Sequence, residues 1–140
     1  MRLAPRITRP APARMEKPGP FRSKAHIDFI HGLMICAATG WVGPVDAHHL
    51  LHLERPDGSV DIRGSRKRGD DLTVPLRHEV HMAAHASGRP EEYLLKHYGI
   101  SCHELSQALM RVSGDHEAGL RVIERARQDS ALKRRSLLNL

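Results

Sequence analysis

Asp46-Ala47-His48-His49-Leu50 is answered further along by His81-Met82-Ala83-Ala84-His85, two local pairs of imidazoles that together could build one metal site. His81 and His85 stand four apart, so a helix there stacks both imidazoles on one face, the spacing needed to grip one divalent ion. His48 and His49 are adjacent. On a strand they point to opposite faces, which lets one bind an ion while the other acts elsewhere. A bulged or twisted strand end would instead converge both on a substrate.

Working outward, Gly43-Pro44 opens a short strand from Val45 to His49, and the Asp57-Gly58 turn begins a polar loop that runs to Arg68. Leu72, Val74 and Leu76 alternate as a second short strand. After Pro75 the pattern switches to a helix carrying His78, Val80, His81, Ala84 and His85, stopped by Gly88. Upstream, Ile27, Ile30, Leu33, Met34 and Ala37 recur at helical spacing, which predicts a helix from Ser23 to about Ala38 with Gly40 as its stop. Downstream, Pro90 with Glu91 and Glu92 opens a helix ending near Gly99, and Ser101 with Glu104 forms a capping box for one reaching about Val112. Asp115 caps a last basic helix. Its apolar stripe, Leu120, Ile123 and Ala126 or Arg127, is thin, so it reads as a loosely docked helix, a second contact arm or a merely solvated helix. The fold class expected is α+β, a mainly helical small domain.

The chain has 140 residues, 40% of them hydrophobic but only 4% aromatic, which predicts one small domain with an aliphatic core. Residues 1–21 hold Arg2, Arg6, Arg9, Arg14 and Lys17 among five prolines and cannot bury enough apolar surface to fold, so they read as a flexible basic arm or an inert tail. Residues 22–113 form the expected domain and 114–140 a basic C-terminal helix or tail. Twenty-two Lys and Arg against 16 Asp and Glu leave a formal charge of +6, a balance that favours polyanions such as DNA. Cys36 and Cys102, in segments read as separate helices, do not make a disulfide framework and fit a reduced cytoplasmic setting. No apolar run approaches a membrane span and no secretory h-region opens the chain.

With 11 histidines in 140 residues, about one His-x-x-x-His pair is expected by chance, so the helical pair carries weight only through its order behind two strands. Phosphodiester hydrolysis needs a base to activate water, a divalent ion to neutralise phosphate and a group to orient the base. One of the adjacent histidines is the natural base. The other, with His81 and His85, offers nitrogen ligands suited to Zn²⁺, Ni²⁺ or Mn²⁺. Asp70 and Asp71 begin the second strand, placed either to fix the tautomer of the base or simply to cap the turn. His78 shares the helical face of His81 and His85 as a reserve ligand or phosphate contact. Arg66, Lys67, Arg68 and Arg77 are the further candidates for contacting nucleic acid.

From about Lys24 to Val112 the chain resembles the HNH, or ββα-metal, nucleases, and more narrowly the phage and prophage recombination nucleases of the Ref type. The resemblance rests on Gly43 to Leu50, Arg68-Gly69-Asp70-Asp71, Val74-Pro75-Leu76, His81, His85 and Gly88. It implies a bacterial host-cell DNA endonuclease with His49 as general base, His48, His81 and His85 as ligands to one divalent metal, which could be Mg, Mn, Ni or Zn, and Asp71, or Asp70 one place earlier, orienting the base. A recombination or packaging protein would be a natural partner. The family's structural zinc knuckle is not expected. Cys36 occupies its first position, but Thr39, Arg77 and Val80 stand at the others, so packing must replace a zinc that contributes about 10 to 16 kcal/mol in knuckle peptides. Two further readings are a non-catalytic DNA-binding phage accessory protein with a structural metal, and a histidine-rich metal-binding domain without a nucleic-acid partner. Oligomeric state is not legible.

Overall fold

The computed structural model describes residues 21–54, 60–62 and 69–138. Ser23 sits in an extended conformation and its hydroxyl accepts the His26 N–H at 3.1 Å, which starts helix α1 at Lys24–Gly32 and turns Phe29 and Ile30 inward. The helix stops well before Ala38. Met34 enters the left-handed region at φ 53°, and the chain folds back as a small hairpin in which Cys36 N–H bonds Trp41 O at 2.8 Å and Gly43 N–H bonds Met34 O at 2.9 Å. Met34 is exposed, but of the other apolar residues that suggested a helix running on to Ala38, Leu33 and Ala37 are still buried, with Cys36 and Ala38 beside them. A tight turn hides them as well as a helix would. Gly40, at φ 75°, makes that turn, and a Cβ there would lie 2.7 Å from the Arg127 guanidinium, which donates to Ala38 O at 2.9 Å. Cys36 therefore lies outside any helix.

Strand β1, Asp46–His49, follows. The polar stretch expected to be loop contains a second antiparallel pair, β2 at His52–Glu54 and β3 at Val60–Ile62, with His52 opposite Ile62 and Glu54 opposite Val60. The Asp57-Gly58 turn and Arg66, Lys67 and Arg68 lie outside the described residues, as does the basic arm up to residue 20. Strand β4, Thr73–Leu76, pairs antiparallel with β1, so the two strands of the site are joined across an inserted hairpin. All of β4 is buried. Pro75 has no N–H to contribute, but its carbonyl accepts Ala37 N–H at 2.9 Å and stitches the hairpin after α1 to the sheet.

Helix α2, His78–Ala86, leaves β4 after a single connecting residue and buries Val80 and Ala84. Helix α3, Pro90–Tyr98, has Pro at its first position and ends on Gly99 at φ 71°. Helix α4, Cys102–Arg111, is capped by Ser101, and α5, His116–Leu138, by Asp115, whose carboxylate accepts Ala118 N–H at 3.1 Å. Ile30, Leu50, Leu76, Leu94, Leu109 and Ile123 are all but fully buried and come from six parts of the chain. Helix α5 thus shares the one core: Ile123 is at 0% exposure, Leu120 and Ala126 flank it, and Ser130 donates to Gly99 O at 2.8 Å. Among the described residues the fold is mainly helical α+β, with five helices and two two-stranded antiparallel sheets, and no helix is long and apolar enough to cross a membrane.

Two stability tests follow from this packing. Truncating Ile123 to Ala empties the contact between α5 and the core, and urea unfolding is expected to register a loss of about 2–5 kcal/mol; a solvated helix would lose almost nothing. Buried His26 hydrogen-bonds Ser113 Oγ at 2.7 Å, and burial pushes its pKa below the ordinary value against the opposing pull of Asp70 and Asp71. The unfolded chain therefore takes up this proton first, near pH 6.5. Tm of the metal-free protein is expected to fall as pH drops from about 6.5 toward the lower folded value, and to fall less in His26→Gln.

Candidate metal centre

Alternation along β1 separates the two adjacent histidines. His48, opposite Val74, is fully buried and faces α2, while His49, opposite Thr73, turns toward the start of β4 and stays partly exposed. One helical turn of α2 brings His81 and His85 to His48. Their ring centroids lie 5.0 and 5.2 Å from that of His48 and 4.7 Å from each other. One nitrogen from each of the three rings falls within 4.8 Å of the others, and His81 Nε2 is 3.0 Å from His85 Nε2. Two imidazole nitrogens bound about 2.0–2.1 Å from a tetrahedral ion stand roughly 3.3 Å apart, so the α2 pair is already at ligand spacing.

The atoms outside this trio fit an ion at its centre. His81 Nδ1 bonds Asp46 Oδ2 at 2.9 Å, which directs Nε2 inward. His48 Nε2 bonds Glu91 Oε1 at 3.1 Å, which leaves Nδ1 buried with no hydrogen-bond partner. A lone pair buried without a partner costs about 1–3 kcal/mol, a cost that coordination removes. Burial pushes the His81 pKa down despite its bond to Asp46, favouring the neutral ring a metal requires. Burial would raise the pKa values of Asp46 and Glu91, but the histidine bonds outweigh it and hold both carboxylates below their ordinary range. His48, His81 and His85 together form a possible metal-binding cluster of three imidazoles.

His49 has its own carboxylate. Asp70 Oδ1 accepts from His49 Nε2 at 2.8 Å, and Asp70 Oδ2 accepts the Ser23 N–H at 2.8 Å. Arg22 reaches the same carboxylate at 3.4 Å, and Asp70 N–H donates to Phe21 O at 2.8 Å. Burial again works to raise the Asp70 pKa, but the bonds from His49 and Ser23 prevail and keep it ionised. Asp71, the residue first matched to the base-orienting position, is not the one that meets His49. The turn closed by Leu72 N–H on Gly69 O at 3.1 Å sends Asp70 inward and places Asp71 against Gly69, so of the two neighbouring carboxylates it is Asp70 that holds His49.

The other candidates lie beside the trio. His78 Nδ1 shares Asp46 Oδ2 with His81 at 2.8 Å and is otherwise largely exposed, so it is not drawn into the cluster. Arg77 caps α2 with its guanidinium 4.6 Å over the Trp41 ring and ion-paired to Glu79 at 2.8 Å, instead of extending freely outward. Cys36 and Val80 are buried in the hydrophobic core, and Arg77 stacks on Trp41. Two residues of the site carried no role in the sequence reading. Asp46 was discoverable, because residues two apart on a strand share a face and Asp46 therefore accompanies His48. Glu91 was not, since nothing local marks a helix-opening glutamate as the partner of a histidine 43 positions earlier.

Compared with models of known protein families, with curated proteins and with solved structures, the chain matches none. The cluster predicts one tightly bound divalent ion per chain, measured by titration with Zn²⁺ or Mn²⁺ against a chromophoric chelator. His81→Ala and His85→Ala are each expected to abolish tight binding, whereas His49→Ala, which removes a ring held by Asp70 and not by the cluster, is expected to leave it within about threefold.

Proposed function

We propose that the protein is a metal-dependent DNA endonuclease of the HNH, or ββα-metal, type. The observation that carries this reading is the pairing of β1 with β4 ahead of α2. That pairing sets a three-histidine cluster on one side of β1 and a separate carboxylate-held histidine, His49, immediately beside it. A purely structural metal site needs the first and has no use for the second.

When bound by His48, His81 and His85, the divalent ion supplies positive charge to the phosphate oxygens and the leaving group. His49 supplies the base. Asp70 fixes the proton on Nε2, so Nδ1 is the nitrogen that takes a proton from water as the water oxygen attacks phosphorus. The ionised Asp70 then stabilises the imidazolium that forms, and the Ser23 N–H keeps the carboxylate from turning away. The formal charge of +6 favours binding to the phosphate backbone, with no demand on base sequence. Arg66, Lys67, Arg68, Arg77 and His78 remain the residues proposed for that contact.

Nicking of supercoiled plasmid at low salt across Mg²⁺, Mn²⁺, Ni²⁺ and Zn²⁺, with an EDTA control, tests the proposal. Metal-dependent nicking is expected to fall about 10²- to 10⁴-fold in His49→Ala, the usual worth of a general base. Asp70→Ala is expected to fall comparably and Asp71→Ala by no more than a few-fold. Wild-type protein that shifts DNA but nicks it with none of these metals would overturn the endonuclease in favour of a DNA-binding protein with a structural metal.

A further inference from the structure

Glu91 is the least exposed carboxylate at the site, and it bonds at once to the metal cluster and to the chain leaving β1. Its Oε1 accepts from His48 Nε2 at 3.1 Å and from the Leu51 N–H at 2.7 Å. Its Oε2 accepts the His52 N–H at 3.3 Å and lies 3.8 Å from His52 Nδ1. His48 is at 0% exposure, so its ring cannot turn to water to find another partner. An ionised carboxylate only accepts hydrogen bonds, and two backbone N–H groups that only donate hold it in place. His48 Nε2 must then carry the proton, and the ligand lone pair falls on Nδ1, the buried atom without a partner.

We infer that Glu91 is a positioning residue that locks His48 in the Nε2–H tautomer, making His48 an Nδ1 ligand, while tying the metal cluster to the entrance of the β2–β3 hairpin. The inference rests on the reading of His48, His81 and His85 as a metal centre and is independent of whether that centre cleaves DNA. It differs from the arrangement at His81, where Asp46 holds Nδ1 and the inward atom is Nε2. The cluster is therefore of mixed linkage. Strand and helix present their rings from opposite ends, and two carboxylates on different elements select the atom each ring offers.

The test uses the full-length protein and two readouts that need no catalysis. Long-range ¹H–¹⁵N NMR of the metal-free protein assigns the tautomer of His48, with Nε2–H expected; an Nδ1–H ring or a doubly protonated ring overturns the inference. Zn²⁺ competition titrations compare Glu91→Gln and Glu91→Ala with wild type. The alanine variant is expected to lose about 10- to 100-fold in Zn²⁺ affinity, the usual consequence of removing a ligand's outer partner. Glutamine, whose side-chain oxygen still accepts from Nε2–H, is expected to retain the tautomer and lose less. A folded Glu91→Ala that binds Zn²⁺ within twofold of wild type overturns the assignment. Should the alanine variant fail to fold, the wild-type tautomer and the glutamine affinity decide it. If His81→Ala also leaves Zn²⁺ binding unchanged, the metal-centre reading fails, which is distinct from failure of the role of Glu91.

Discussion

The register of β1 against β4 is the constraint on which the rest of the site depends. Asp46 faces Leu76, His48 faces Val74 and His49 faces Thr73. A strand's side chains alternate, so a slip of one residue would exchange His48 and His49 and carry Asp46 to the wrong face. The slip is opposed on every side. Leu50 N–H bonds Leu72 O at 2.9 Å beyond the last pair, and Ala37 N–H bonds Pro75 O at 2.9 Å across the sheet. Two short strands would be marginal alone. Here the helices that cover them hold the register.

Around this sheet each imidazole of the site that meets a carboxylate meets a different element of the fold through it. Asp46 comes from β1 itself, Glu91 from the first turn of α3, and Asp70 from the turn before β4. All three carboxylates stay ionised because hydrogen bonds from the histidines and backbone outweigh their burial. A chain with a net positive charge thus gathers negative charge locally behind its histidines. The electrostatic consequence is that rings offering lone pairs to an ion are held from behind by acceptors, and a ring that gains a proton is stabilised there.

The outer helices do more than fill space. Helix α3 delivers Glu91, the residue capping α1 delivers the Ser23 N–H that steadies Asp70, and α5 closes the core over Ile123 while its Arg127 braces the hairpin after α1. Cys36 and Val80 are buried in the core that these helices close, and Arg77 stacks on Trp41 beside them.

Much of this was readable in the residues themselves. Helical spacing located α2 and the His81–His85 pair, cap residues located the starts of α1, α3, α4 and α5, Gly43-Pro44 marked the approach to β1 and alternation located β4, because these signals arise within a few residues of chain. Two local signals misled. The apolar period through Ala37 looked helical although Gly40 folds that segment into a hairpin, and strands of only three residues within a polar stretch, β2 and β3, gave too short a pattern to read. The residue order alone put His81 and His85 on one helix turn, whereas the opposite facing of His48 and His49 needed the regular pairing of β1 with β4 to exclude a bulge. That Asp70 and not Asp71 meets His49, and that Glu91 meets His48, followed from the packing of the whole chain. Such partnerships join segments 21 and 43 residues apart, and they are set by how whole elements pack, which no short-range pattern of residue types encodes.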